Sequence, residues 1–280
     1  MLSGTMRRSA HRTSAHGRRA ARSQPLKLLG RAGFAARGVL YVVIGWIAIE
    51  IALGQGGTSA DNRGALEAVG STPVGSVLIW LLGIGFAGLA LWRLAQAAAG
   101  GPTADEHKLT ARLAAVGKAA VYGFLSYETF RYAIGSGAPK ASDRQSVDAT
   151  ATLMRYPGGQ AVVIIVGFVL IGAGIYLAWQ AWRRKFLRSL ETGRLTATQR
   201  RFAIALGEVG GIARGVVFAA AGVFLVIAGA QHNPGQAKGL DATLRSFAHT
   251  PAGPFLLVVV AAGLIAFGGY SCLEAGWRRV

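Results

Sequence analysis

The chain repeats one pattern three times: a basic residue opens an apolar segment, a polar stretch ending in proline follows, and a second apolar segment carries a late aromatic residue. The second segments align without gaps when they are counted from their prolines, Pro73, Pro157 and Pro251. The second residue after each proline is glycine, the nineteenth is aromatic (Trp92, Tyr176 and Tyr270) and the twenty-fourth is alanine. Repetition of this length determines the architecture. The chain must fold as three similar units.

Each unit contains two apolar stretches of roughly the length that crosses a bilayer. The six stretches cover residues 37–53, 74–97, 118–135, 159–182, 212–230 and 253–274. The chain is 52% hydrophobic and 15% charged, whereas soluble domains average about 25% charged residues. A spanning helix needs about 20 apolar residues, and continuous rather than alternating hydrophobicity argues against a β-barrel. The sequence therefore predicts an all-α polytopic membrane protein with six transmembrane helices.

Two helices per unit return the chain to the same side of the membrane. We therefore expect three parallel repeats around a pseudo-threefold axis that runs along the membrane normal. The predicted units cover residues 30–100, 108–185 and 200–280, after a basic, disordered tail over residues 1–29.

Local composition predicts how the helices pack and connect. Small residues spaced four apart, as in Gly83-xxx-Ala87, Gly174-xxx-Ala178 and Gly211-xxx-Gly215, predict close helix contacts. The polar stretches 54–73, 136–158 and 231–252 are rich in Gly, Ser, Asp, Asn and Pro and predict turns.

The formal charge of +18 is unevenly distributed. The N-terminal segment through Arg37, the connections between units and the C-terminus hold 23 of the 30 Lys and Arg residues, and the stretches within units hold six. The positive-inside rule then places both termini in the cytoplasm. Residues 1–24 resemble a transit peptide as well as a cytoplasmic anchor, and this orientation favours the anchor. Attraction to anionic lipid headgroups, about 1 kcal/mol per basic residue, explains the charge without nucleic acid.

The repeat resembles a known family. The openings ARGVLY at 36–41 and ARGVVF at 213–218, with P-x-G before each second helix, are similar to the bacterial membrane family catalogued as domain of unknown function 1206. The resemblance covers residues 30–276. It implies a six-helix protein of the bacterial inner membrane, typically actinobacterial, and brings no established activity or site. The middle unit departs from the pattern, with Lys118-Ala119 in place of Arg-Gly.

Three basic residues at equivalent positions, Arg37, Lys118 and Arg214, form the first candidate site. They could surround the pseudo-axis and bind an anion or lipid phosphate, or they could face outward towards separate lipid headgroups. They could also pair with Gln96, Gln180 and Glu274 at the ends of the second helices. The late aromatic residues lie about 28 Å from their prolines at 1.5 Å per residue, which predicts an aromatic belt at the membrane interface.

Glu128 breaks the repeat, because Ile47 and Phe224 occupy its position in the other units. It lies about 15 Å from the start of its apolar stretch, near the middle of the membrane. A carboxylate there costs about 2.5–3.5 kcal/mol, and such residues often mark ion or proton paths. Arg131 follows three residues later, and Glu50 is expected at the depth of Arg131. The three residues form either a candidate ion or proton site or a structural cluster with outward-reaching ends.

The remaining motifs give weaker signals. The segment Gly83-Ile-Gly-Phe-Ala-Gly88 matches a dinucleotide-binding fingerprint, but it lies inside an apolar helix, where helix packing explains it. The residues His232, Asp241 and His249 share one polar stretch without a metal-ligand spacing. Cys272 is the single cysteine, so it forms no disulfide within the chain. We therefore expect no cofactor, no metal site and no catalytic residue.

These observations predict a non-enzymatic protein of the bacterial inner membrane. Its expected role is structural or accessory, through anionic lipid headgroups at the cytoplasmic face or through partner membrane proteins. The alternative is a small transporter or channel that uses Glu128 and Arg131, with Glu50 as a further member of the site.

Overall fold

The computed structural model describes residues 24–55, 57–99, 109–137, 139–190, 193, 195–250 and 252–277. Within these residues the fold is all-α, as predicted. The α-helices are α1 Gln24–Ala52, α2 Asn62–Gly70, α3 Gly75–Ala99, α4 Leu109–Ala133, α5 Ser142–Met154, α6 Gly159–Trp182, α7 Ala197–Ala230, α8 Leu240–Ala248 and α9 Gly253–Trp277. Short 3-10 helices cover Lys185–Ser189 and Pro234–Gln236. Each unit therefore consists of a long helix, a short helix and a second long helix.

Five of the long helices are long and apolar enough to cross a membrane, namely α1, α3, α6, α7 and α9. The exception, α4, has 25 residues but carries Lys118, Glu128 and Arg131 within its apolar part. The first helix begins at Gln24, inside the range predicted as a tail. The remainder of that tail, residues 1–23, lies outside the described residues.

The polar stretches within the units are more ordered than predicted, and the prediction of turns is wrong where the short helices lie. Each contains a short helix, α2, α5 or α8. Asp61 starts α2, because its side chain accepts a hydrogen bond from the Gly64 N–H at 3.0 Å. Composition alone suggested a turn since aspartate and glycine are common both in turns and at helix ends.

The glycine of the P-x-G signature has a steric cause. The second long helix of each unit begins at this glycine, directly after the end of the short helix. A Cβ atom on Gly75, Gly159 or Gly253 would lie 2.5, 1.7 or 1.8 Å from a carbonyl oxygen at the end of that short helix. Only glycine permits this close turn.

Three aspartates connect the units at the end of the bundle that carries the short helices, here called the cap end. Asp61 accepts a hydrogen bond from the Ser142 N–H at 2.7 Å, and Asp143 accepts one from the Ala242 N–H at 3.1 Å. Asp241 accepts one from the Ala60 N–H at 2.7 Å. Each unit thus binds the backbone of another unit, and the three bonds form a closed cycle.

Glycines allow the long helices to pack closely and antiparallel. A Cβ atom on Gly174 would lie 2.6 Å from the Gly215 carbonyl oxygen, which confirms the predicted small-residue contact between α6 and α7. The glycine-rich segment of α3 is likewise a packing surface, because Gly83 lies against the Phe130 ring and Gly85 against Ala36.

The long helices form a ring with one gap. Helix α1 packs on α3 and α9, α4 packs on α3, and α7 packs on α6 and α9. Helices α4 and α6 belong to the same unit, but within the described residues they share no comparable interface. The ring is therefore open between these two helices.

Candidate functional site

A cavity of about 760 Å³ lies inside the ring at the end opposite the cap, here called the termini end because α1 begins and α9 ends there. All six long helices contribute to its wall. The described lining includes one carboxylate, Glu274, and six basic residues, namely Arg37, Arg93, Lys118, Lys185, Arg188 and Arg214. A concave surface with this excess of one sign concentrates the electrostatic field and attracts anions.

The two sets of equivalent polar residues predicted from the repeat meet in this cavity. Arg37, Lys118 and Arg214 all line it, and so do Gln96, Gln180 and Glu274. The interpretation in which the basic residues face separate lipid headgroups is wrong for Arg37, which is buried. The interpretation in which they pair with the second set is confirmed for Arg37 and Glu274.

Arg37 is held from three helices. Its guanidinium forms an ion pair with Glu274 and donates hydrogen bonds to the Ser271 hydroxyl at 3.1 Å and the Tyr122 hydroxyl at 3.5 Å. The rings of Phe34 and Phe267 lie 4.9 and 5.1 Å from its central carbon. Bonding to a carboxylate and contact with aromatic faces together offset the cost of burying the charge. Arg37 therefore belongs to the framework of the cavity.

Arg214 is placed differently. Its guanidinium carbon lies 4.9 Å from the centre of the Phe267 ring and 5.3 Å from that of Phe218. Its Nε atom is buried and donates no hydrogen bond to any described residue. Arg214 also lines the cavity. An arginine with aromatic support and an unused donor is suited to bind an anion.

Lys118 occupies the corresponding position on α4. It is exposed and lines the cavity beside the gap between α4 and α6. Its ammonium group offers a charge on a flexible stem, which tolerates ligands of different shape.

Sequence reasoning missed further basic residues of the cavity. Arg93 is buried, donates a hydrogen bond to the Gln96 side chain at 2.8 Å and lies over the Trp92 ring. Lys185 lies 3.8 Å from the centre of the Trp179 ring. Arg93 directly follows the late aromatic residue, and the residue at that position in the third unit is Ser271, a partner of Arg37. The polar residue directly after the late aromatic residue was therefore a signal in the sequence that could have identified Arg93 as part of the site.

The predicted aromatic belt is wrong for two of its three members. Trp92 and Tyr270 are each only 4% exposed, and they pack against Phe34 and Phe186 with ring centres 5.4 and 5.1 Å apart. Tyr176 is 53% exposed and lines the cavity. Two of the three equivalent rings are thus buried against aromatic neighbours, and the ring of the middle unit is exposed.

The predicted cluster of Glu50, Glu128 and Arg131 is not brought together by hydrogen bonds or ion pairs. Glu50 accepts a hydrogen bond from the Trp46 indole at 2.9 Å. Arg131 donates to the carbonyl oxygen of Ser136 at the end of its helix, so it reaches outward. Glu128 is buried and makes no hydrogen bond or ion pair with any described residue.

The polar stretch of His232, Asp241 and His249 forms no metal site among the residues that the structure describes. Asp241 is buried and accepts hydrogen bonds from the Ala60 N–H and from Arg245 at 2.9 Å. In the described part of the chain, no three His, Cys, Asp or Glu side chains are grouped closely enough to hold a metal ion. Cys272 is exposed on α9.

The basic cavity is therefore the strongest candidate site, and its chemistry is that of anion binding. Guanidinium and ammonium groups donate short, charge-assisted hydrogen bonds to phosphate and carboxylate oxygens. Glutamine amides at the same level supply further donors and acceptors.

Comparison with known proteins gives the family. The family described as Domain of Unknown Function (DUF1206) matches the chain three times, over residues 32–100, 113–184 and 209–278. The chain belongs to this family, as the resemblance of its repeats indicated. It is also similar to a Bacillus subtilis (strain 168) protein described as "Uncharacterized protein YxxB", with 28% identity over 257 residues, 91% of this chain and 92% of that protein. No solved structure matches the chain.

Proposed function

We propose that this DUF1206 protein is a non-enzymatic accessory protein of the bacterial inner membrane, which binds the headgroup phosphate of an anionic lipid in its basic cavity. The observation that carries the proposal is the convergence of Arg37, Lys118 and Arg214, far apart in sequence, on one cavity. Partner membrane proteins that need such a lipid are a further class of ligand. An actinobacterial source stays a prediction.

The proposal includes a membrane arrangement. All six long helices cross the bilayer, in three units around a pseudo-threefold axis, and both termini are cytoplasmic. The sixth span is α4, which runs along α3: Tyr122 stacks near Phe86, and the Ser126 hydroxyl donates a hydrogen bond to the Gly83 carbonyl oxygen at 2.9 Å. The basic cavity then opens at the cytoplasmic face, where the positive-inside rule expects basic residues.

The charge arrangement supports an anionic rather than a neutral headgroup. One cation, Arg37, is neutralised by Glu274. Gln96 and Gln180 occupy the positions equivalent to Glu274 in the other units, so these six repeat positions carry three basic residues and one carboxylate. The net positive charge that results is offset best by a ligand phosphate.

Binding to lipid nanodiscs tests the proposal. The full-length protein is exchanged between nanodiscs of phosphatidylglycerol and of phosphatidylcholine, and the lipids retained after purification are counted by native mass spectrometry. We expect selective retention of phosphatidylglycerol, weakened about tenfold or more by Lys118→Gln or Arg214→Gln, since each removes a charge-assisted hydrogen bond.

A matched control uses Arg63, a partly exposed basic residue on α2 at the cap end. Arg63→Gln removes the same charge from the chain without touching the cavity, and we expect unchanged lipid retention. If Arg63→Gln and Lys118→Gln lowered phosphatidylglycerol retention equally, the lipid would be attracted by the net charge of the protein rather than by the cavity. That result would refute the proposed site.

Reporter fusions test the orientation. Alkaline phosphatase fused after Val280 should be inactive, because it stays in the cytoplasm, and the same enzyme inserted at Gly235 in the cap should be active. The reverse result would place the basic cavity at the outer face of the membrane.

Glu128 supports a second candidate function, that of a small transporter or channel. A buried carboxylate that bonds to none of the described residues favours proton or cation binding at membrane depth. Since Glu50 and Arg131 bond elsewhere, Glu128 alone carries this candidate. Proton flux into proteoliposomes should fall in Glu128→Gln relative to wild type and to Glu67→Gln, a substitution in the exposed cap. Equal background flux in all three proteins would eliminate transport.

A further inference from the structure

The middle unit lacks the internal interface that closes the other two units. In the first unit, α1 and α3 cross so closely that a Cβ atom on Gly85 would lie 2.7 Å from the Ala36 Cβ atom. In the third unit, a Cβ atom on Gly263 would lie 2.3 Å from the Ala213 Cβ atom. The repeat alignment puts Val169 at the glycine position of the middle unit and Gly117 at the alanine position.

The structure contains no such crossing between α4 and α6. Val169 is 64% exposed, and a Cβ atom on Gly117 would meet nothing within 4 Å. Glycine at the crossing point permits the closest approach of two helices. The first and third units have this glycine, whereas the middle unit has Val169, whose side chain prevents an equally close approach. The gap is thus encoded in the sequence of this unit.

The uncovered part of α6 has a definite extent. Val163 is buried, as are Ile79 and Leu257 at the equivalent positions of the other units. From Val166 onwards the middle unit differs. Its residues Val166, Val169, Ala173 and Tyr176 are exposed. The equivalent residues are all buried, namely Leu82, Gly85, Leu89 and Trp92 in the first unit and Val260, Gly263, Phe267 and Tyr270 in the third.

Helix α4 forms the opposite wall of the same groove. Val121 on α4 is 57% exposed, but its equivalents Leu40 and Val217 are 7% and 3% exposed. Lys118, one turn closer to the termini end, lines the basic cavity, and so does Tyr176 on α6. An apolar groove between α4 and α6 therefore leads directly into the cavity.

The length of the groove indicates what fills it. From Val166 to Tyr176 the helix rises about 15 Å at 1.5 Å per residue, which is half of a hydrocarbon core about 30 Å thick. A further transmembrane helix would need a groove along the whole span. An acyl chain of one leaflet needs half of it, and a soluble anion needs none.

We propose that the middle unit holds one membrane phospholipid from the leaflet at the termini end, with an acyl chain in the groove between α4 and α6 and the phosphate in the cavity at Lys118 and Arg214. This inference rests on the proposed function and adds to it the position of the acyl chain and the route by which the phospholipid enters. The phospholipid enters sideways from the bilayer, because the groove is open to the membrane along its length. The first and third units are closed and provide the rigid wall.

A photoactivatable phosphatidylglycerol with a diazirine in its acyl chain tests the inference in nanodiscs. After illumination of the full-length protein, mass spectrometry maps the lipid adducts. We expect adducts to concentrate on the groove, at Val121, Val169 and Ala173, rather than at Ile165. Ile165 is the matched reference, because it and its equivalents Leu81 and Val259 are exposed in all three units.

Two variants make the test specific. Ala173→Phe introduces the residue that the third unit carries as Phe267 and fills the groove, so groove adducts should fall about tenfold. Ile165→Phe adds the same ring on the outer face and should leave the groove adducts unchanged. The wild-type ratio between groove and outer-face adducts is an independent measurement if Ala173→Phe folds poorly.

Equal labelling of the groove and Ile165 would overturn the inference, and so would a cross-linked dimer across the groove, which would make a second copy the occupant. If phosphatidylglycerol is retained through Lys118 and Arg214 while the groove stays unlabelled, the cavity binds the headgroup alone, so this inference fails and the proposed function stands. If inorganic phosphate stabilises the protein thermally through both residues while no phosphatidylglycerol is retained, the cavity binds a soluble anion and the lipid part of both proposals fails. If Lys118→Gln and Arg214→Gln change neither lipid retention nor phosphate stabilisation, the proposed function fails as well.

Discussion

The buried pair of Arg37 and Glu274 allows a quantitative prediction. Its side chains are only 7% and 5% exposed, and Arg37 joins α1 to α9 and α4. Glu274→Gln changes the charge but retains the shape and an oxygen acceptor. It also makes the third unit like the other two, which carry Gln96 and Gln180 at this position.

Removal of one partner from a buried pair costs about 3–5 kcal/mol, since the remaining charge stays desolvated. The glutamine oxygen still accepts a hydrogen bond from Arg37, so we expect the lower end, about 3 kcal/mol. For a chain of this size, 1 kcal/mol shifts the midpoint of thermal unfolding by about 2–4 °C, which gives a decrease of about 6–12 °C.

Thermal unfolding of the purified protein in detergent measures this shift. The control is Glu67→Gln, which breaks the exposed pair of Arg63 and Glu67, 40% and 37% exposed, and should cost about 0–1 kcal/mol. Since Glu274→Gln also makes the cavity more positive, added phosphatidylglycerol should recover part of the lost stability, as a ligand that binds only the folded state does. A decrease no larger than that of Glu67→Gln would refute the assignment of Arg37 to the framework.

Two further predictions concern the cap. Asp61→Ala removes the acceptor of two backbone N–H groups at a fully buried site, which should cost about 3 kcal/mol and raise hydrogen exchange in α2 and at Ser142, whereas the exposed Asp148→Ala should not. Burial raises the pKa of Asp143 above its ordinary value of 3.8, although the Ala242 N–H opposes the shift. Because the folded state binds this proton more tightly, the contribution to stability is complete below 3.8 and is lost as pH rises through the raised pKa. Hydrogen exchange of α5 and α8 against pH should show this slope in wild type and lose it in Asp143→Asn.

The repeat was sufficient to predict the level of the site but not the direction of its side chains. Equivalent positions in equivalent helices are expected at similar depth, and the structure brings Arg37, Lys118 and Arg214 to one cavity with Glu274. Whether they face inward depends on the rotation of each helix. Helices that are apolar on all sides give little amphipathic signal of that rotation.

The order of the helices in the ring was not predictable either. Glu128 and Arg131 were grouped because they lie three residues apart on one helix, and Glu50 was added because it is expected at the depth of Arg131 in the neighbouring unit. The ring places α3 between α1 and α4, so Glu50 and Arg131 bond to residues of their own segments. The short helices were missed for a local reason: the sequence around Asp61 reads as a turn until the partner N–H groups are known.

The gap between α4 and α6 coincides with residues of the middle unit that depart from the repeat. Alignment alone identified Lys118-Ala119 as a departure from Arg-Gly. The more consequential departure is Val169 in place of Gly85 and Gly263, since it accompanies the loss of an interface. The sequence alone could not show this, because the close contacts of Gly85 and Gly263 are a property of the packed helices.

The most direct test of the account is an experimental structure of the full-length protein extracted with its native lipids into nanodiscs. If a phospholipid occupies the groove, elongated density lies between α4 and α6 and is continuous with phosphate density within hydrogen-bonding distance of Lys118 and Arg214. An empty cavity with α4 packed against α6, as α1 packs against α3, would rule out the proposed lipid site.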